Sequence, residues 1–148
     1  MNYSKESIQH LTGLIRGKDE HRRWLQQNNC IELILLHFAI DGNDKAFHEL
    51  KDLKHAELTA FALAVLDDKR AFNWLAENKH FIWAATVRVT YKDPSAEAWL
   101  MRNDLAHYAE LGIAIRKNEE EAAADDIFGL MKKFMNIFKN SRKRGLIR

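Results

Sequence analysis

The sequence predicts an all-α protein, a right-handed α-α superhelix built from about five helical hairpins. Three observations carry this. KAFHEL at 45–50 returns as RAFNWL at 70–75. Stepping by 25 from Leu25 gives Leu50, Leu75 and Leu100, and four further series from Ile8, Leu11, Leu14 and Ile15 stay almost wholly apolar. Six Gly and one Pro are too few to turn the chain through many hairpins of sheet.

Each repeat unit reads as two short helices. The first carries apolar residues at 8, 11, 14 and 15, then at 33, 36, 39 and 40, which line one helical face. A polar turn follows: Gly17-Lys18-Asp19, Gly42-Asn43-Asp44, Asp67-Asp68, Lys92-Asp93-Pro94. Asp93 suits an N-cap with Pro94 in the first helical turn, and Asp19 and Asp44 share the register of Pro94. The second helix carries a small residue, a Trp and a Leu, as in Ala71, Trp74, Leu75 and Ala96, Trp99, Leu100. It ends at Asn28, Asn78 and Asn103, residues that tolerate the left-handed conformation closing a helix. IWAATVRVTY (82–91) alternates like a strand, but it has no partner strand and its register assigns it to a first helix.

The register holds over residues 5–116 and then slips, with Asp125 where Leu is due. The expected organisation is one domain: hairpin repeats over 1–118, a modified capping helix over 119–140 and a basic tail over 141–148. Helices this short are marginal alone, so each must pack on its neighbours.

LHFAIDGND (36–44) resembles the first helix and turn of an ankyrin repeat. The threonine-proline start and the β-finger residues of that repeat are missing. By class the chain resembles ankyrin-like and HEAT-like helical superhelices, and that resemblance implies protein binding.

Composition narrows the function. The 23 basic and 21 acidic residues nearly cancel, unlike a nucleic-acid binder with a basic stripe. One Cys, no apolar signal segment and no apolar run long enough to span a bilayer predict a cytoplasmic protein. Cys30, His55 and His80 share one column, but a stack places its members about 8–10 Å apart, too far for a shared metal, so capping the next helix is the expected role. Phosphate-binding glycine motifs and zinc motifs are missing, so no metal, cofactor or catalytic residue is expected. An enzyme site near Arg88 or His107 has no motif behind it. The Trp column (Trp24, Trp74, Trp99) is expected to pack between helices.

Two surfaces remain. The column Arg16, Asp41, Leu66, Tyr91, Arg116 changes chemical class from copy to copy, as does Thr12, His37, Ala62, Val87, Gly112 one turn earlier. With Thr86 and Arg88, these residues form an expected binding face for a protein or peptide partner; its selected members are Arg16, His37, Asp41, Leu66, Thr86, Arg88, Tyr91 and Arg116. The second surface is the segment from 127 to 148, with a wide apolar face that includes Phe134 and Phe138 and a basic end at Lys139, Arg142, Lys143 and Arg144. It predicts capping of the stack, self-association, or contact with nucleic acid or an anionic membrane. The expected function is a non-enzymatic binding module, the alternative a peripheral membrane or nucleic-acid protein acting through 127–148.

Overall fold

The structure, a computed structural model, describes residues 3–143, with side chains through 140. Among them the chain forms nine helices and no strand. In order they are α1 (Lys5–Ile15), α2 (Glu20–Gln27), α3 (Ile31–Ile40), α4 (Asp44–Asp52), α5 (Ala56–Val65), α6 (Lys69–Glu77), α7 (Phe81–Thr90), α8 (Pro94–Arg102) and α9 (Ala106–Lys143). The strand-like stretch at 82–91 is helical, because Trp83, Ala84, Ala85, Thr86 and Val87 are buried in succession rather than alternating in and out. The chain divides at Arg116 into two units, 1–116 and 117–148.

In the first unit α1 pairs with α2, α3 with α4, α5 with α6 and α7 with α8. Each odd helix also packs on the next, α1 on α3, α3 on α5 and α5 on α7. An interval of 25 residues recurs in the backbone turns. Left-handed residues close the first helices at Gly17, Gly42, Asp67 and Lys92, and the second helices at Asn29, Lys54, Lys79 and Asp104. Every one of these closures makes the same pair of hydrogen bonds. After α6, for example, the Lys79 amide donates to the Ala76 carbonyl (3.2 Å) and the His80 amide to the Leu75 carbonyl (2.8 Å). After α7 the Lys92 amide donates to Val89 (3.0 Å) and the Asp93 amide to Arg88 (3.1 Å). This is the Schellman closure, which satisfies carbonyls a helix end would otherwise leave bare.

The Asn expectation is therefore displaced by one position. Asn28, Asn78 and Asn103 keep negative φ at the C-cap, and the following residue turns left-handed. Their side chains do a different job: each Nδ2 donates to the carbonyl of Trp24, Trp74 or Trp99 at 2.7–2.8 Å. Capping at the other end follows the sequence. Asn43 accepts from the Ala46 amide (3.0 Å), Asp68 from those of Arg70 and Ala71, and Asp93 from those of Ser95 and Ala96. Lys18 stands at that register in the first hairpin, has no acceptor to offer, and α2 begins late, without a side-chain cap.

Leu25, Leu50, Leu75 and Leu100 are all fully buried, at equivalent points of α2, α4, α6 and α8. The apolar series of the odd helices (Ile8, Leu33, Leu58, Trp83, Tyr108 and those beside it) forms one continuous core with them. Burial on this scale, about 1.5–3 kcal/mol per large apolar side chain, holds helices that would melt singly.

Two features depart from a row in which each hairpin meets only its neighbours. Tyr3 donates to Glu32 (3.1 Å) and sets its ring edge-on to Trp83 (6.3 Å). Trp83 in turn meets Tyr108 edge-on at 5.4 Å. The starts of α3, α7 and α9 thus converge on the entry to α1. The second is α9. It begins in register with the earlier odd helices, but no turn follows at 117 and no tenth helix folds back among the described residues. Residues 119–126 read EEEAAADD, without Gly or Pro to stop a helix, so it runs on for 38 residues. Four hairpins and one long helix stand where about five hairpins were expected.

Candidate functional site

The column Arg16, Asp41, Leu66, Tyr91 occupies the C-cap of α1, α3, α5 and α7, immediately before each left-handed residue. The turn chemistry therefore places these four side chains at the rim where one helix hands over to the next. Between the rims after α5 and α7 lies a concavity of about 340 Å³. Ala64, Phe72 and Val87 give it an apolar floor, and Asp67, Lys69, Arg88, Tyr91 and Asp93 stand around it.

Three of its polar groups, Tyr91, Arg88 and Asp93, are anchored. Tyr91 is 50% exposed, yet its hydroxyl reaches the last carbonyls of α5, donating to Val65 at 3.0 Å with Ala64 at 3.2 Å. Arg88 donates through Nε to Asp93 Oδ2 (2.7 Å) and through Nη2 to Ser95 Oγ (3.2 Å), a charge-assisted tie from the last turn of α7 to the first of α8. The Asp93 carboxylate also accepts from the Ser95 hydroxyl (2.7 Å). With that bond leading and Arg88 adding to it, Asp93 is held down at about 2. Arg88 is thus a fixed positive edge half-exposed to solvent.

Of the predicted face, Arg88 and Tyr91 line this groove, and Leu66 sits on its outer rim beside Asp67 and Lys69. Thr86 is fully buried and its hydroxyl donates to the Ile82 carbonyl (2.8 Å), as Thr90 does to Val87. Neither hydroxyl faces solvent. Arg116 Nη1 donates to the Val89 carbonyl (3.2 Å), repeating from α9 what Tyr91 does from α7. Arg16 is exposed at the end of α1, and Asp41 lies 3.8 Å from His37 at the end of α3. The column one turn earlier is not an open face. Thr12, Ala62, Val87 and Gly112 are buried and His37 partly so, because the odd helices pack on one another and on their even partners, and Gly112 of α9 sits against Val89 of α7. A Cβ at Gly112 would stand 2.8 Å from the Val89 side chain, which measures how close that packing is.

Sequence reasoning passed over Asp67, Lys69, Phe72 and Asp93 as groove residues. The signal was the repeat offset itself: Asp68 and Asp93 are equivalent N-caps, so the turns that carry them must face one another.

Cys30, His55 and His80 occupy equivalent positions before α3, α5 and α7, but none caps with its side chain. Cys30 Sγ lies 3.4 Å from the Asn28 carbonyl and 3.7 Å from Ser7 Oγ, and the His80 ring stacks on Trp74 at 5.4 Å. Among the described residues no group of three or more His, Cys, Asp or Glu side chains converges to hold a metal. His107 is buried beside Tyr108, with burial and then Lys5 pushing its pKa down.

In the second unit Phe134 and Phe138 are exposed and stack on each other at 6.4 Å, and Lys139 is exposed. Arg142 and Lys143 lie in the last turn of α9 with side chains outside the described residues, and Arg144 lies outside them altogether. Comparison with models of known families, with curated proteins and with solved structures finds no match to this chain.

Proposed function

We propose that residues 3–116 are a short right-handed α-solenoid acting as a non-catalytic binding module, whose groove between the α5–α6 and α7–α8 turns takes a short peptide segment of a protein partner. The observation that carries this reading is the groove's combination of an apolar floor and a mixed-charge rim in which Arg88 and Asp93 hold each other. Phe72, Val87 and Ala64 offer a seat for one apolar side chain. Lys69 offers positive charge and Asp67 negative at its edge, beside the Arg88–Asp93 ion pair. Pre-organised charge costs little ordering on binding, and mixed signs fix the direction of the bound chain. The groups near the groove are spent on structure, Tyr91 on α5 and Asp93 on Arg88, which suits a recognition surface better than proton transfer. The single buried Cys30 fits a reducing compartment such as the cytoplasm.

A random peptide library displayed on phage and panned on the full chain tests the reading. Selected peptides should bind the Lys69→Glu variant about tenfold or more weakly by fluorescence anisotropy, with the helical circular dichroism unchanged. Peptides that bind both proteins equally, or a library that yields no binder, count against the groove.

A further inference from the structure

The second unit carries a surface that the groove does not use. Every large apolar side chain from Ile127 to Phe138 is exposed, between 45% for Phe138 and 68% for Phe134. At about 100° per residue these side chains cover roughly half of the helix circumference. The other side is Gly129, Lys132, Lys133, Asn136, Lys139 and Asn140. From Ile127 to the last residue the chain has seven Lys and Arg and no acid. The acids stop at Asp125 and Asp126, immediately before the apolar face begins.

Two properties of this face choose its occupant. The first is width. A single partner helix covers a narrow seam, whereas Phe128 and Met135 on one border and Leu130 and Ile137 on the other lie nearly opposite each other across the cylinder. A flat surface covers such a half-cylinder; one helix does not. The second is charge. Cations flank the face on both borders, Lys132 and Lys139 on one side and Lys133 on the other, and Lys132 leans over the Phe128 ring at 4.7 Å. A paired copy wants opposite signs at those flanks, and the segment has none to offer. An anionic headgroup layer wants this arrangement, with lysine stems beside the apolar face and ammonium groups at headgroup level. Among the described residues no helix is long and apolar enough to cross a membrane.

We propose that residues 127–140 of α9 are an interfacial helix that lies along an anionic lipid bilayer, its Phe and Met side in the acyl boundary and its Lys side among the headgroups. Charge brings the segment to the surface and the apolar face holds it there, so binding depends on both.

Flotation of the full chain with vesicles tests this. Vesicles of phosphatidylcholine alone are compared with vesicles that also hold about 30% phosphatidylserine. The chain should float with the second kind and not the first, and about 0.5 M salt should release most of it. Phe134→Ser with Phe138→Ser should weaken partition about tenfold or more. Lys69→Glu, in the groove, should float like the unaltered chain, so this result stands or falls apart from the peptide reading. No flotation with phosphatidylserine vesicles, or equal flotation with both kinds, overturns the proposal. So does binding that survives the double Phe variant, or a dimer in solution that this variant dissolves, since the face then belongs to a second copy.

Discussion

Tyr91 shows how one side chain serves two neighbours. Its backbone amide helps close α7, and its hydroxyl reaches past its own turn to the carbonyls ending α5. Arg116 makes the equivalent reach from α9 to Val89. Leu66 and Asp41 hold the same register and have no proton to donate, so the earlier copies go without this link. Tyr91→Phe keeps the ring and deletes the donor. It should lower stability by about 0.5–1.5 kcal/mol, read as a shift in the urea midpoint at unchanged slope. A midpoint unmoved by the substitution would mean that water replaces the hydroxyl at no cost. From sequence the column was visible as variable, but the reach was not. A carbonyl acceptor in the preceding hairpin leaves no mark on the side chain that uses it.

At the scale of elements, eight helix ends are closed by one device, and six of the eight left-handed positions are not glycine. Gly17 and Gly42 announce the left-handed position by residue type; Asp67, Lys92, Lys54 and Lys79 do not. A side chain with a Cβ costs about 1–2 kcal/mol in that conformation, which the two closing hydrogen bonds and the buried Leu behind them offset. Lys79→Gly should therefore raise stability by roughly 0.5–1 kcal/mol, the strain relieved less the extra freedom of glycine in the unfolded chain. A higher thermal midpoint with unchanged helicity checks it; a fall would show the Lys79 side chain itself to be stabilising. Helix starts were easier to read. Asp93 was legible as a cap by residue type and the structure uses it, with Asn43 and Asp68 capping at the equivalent positions. The end of the last odd helix was misjudged for a related reason: a run of Glu and Ala carries no stop signal, and the helix takes the continuation.

For the whole molecule, charge and burial meet in histidines on three different helices. His10, His37 and His107 all have pKa values below the ordinary 6.5, with burial as the leading cause. His21 adds to it at His10, and Lys5 at His107. The unfolded chain takes up these protons near pH 6.5 and the folded chain resists them. Their contribution is thus fully present above that pH and is lost as the pH falls through the depressed folded values. The urea midpoint should be lower at about pH 5.5 than at about pH 7.5. An equal or higher midpoint at the acid pH would contradict it. Asp93 acts in the same sense further down, its stabilisation leaving as the pH falls towards about 2.

The sequence by itself determined the helical class, the places of the turns and the apolar series that fill most of the core. All of these depend on local chemistry that recurs in each hairpin: caps, apolar spacing and turn formers act within a few positions of themselves. Only the tertiary structure decided that Tyr3 meets Trp83 and Trp83 meets Tyr108, that Thr86 is buried, and that the turns of two successive hairpins enclose a groove. Those outcomes depend on how far each helix rotates against the next. That rotation is set by side-chain volumes meeting across the core, such as Gly112 against Val89, and no single stretch of chain contains both halves of such a contact.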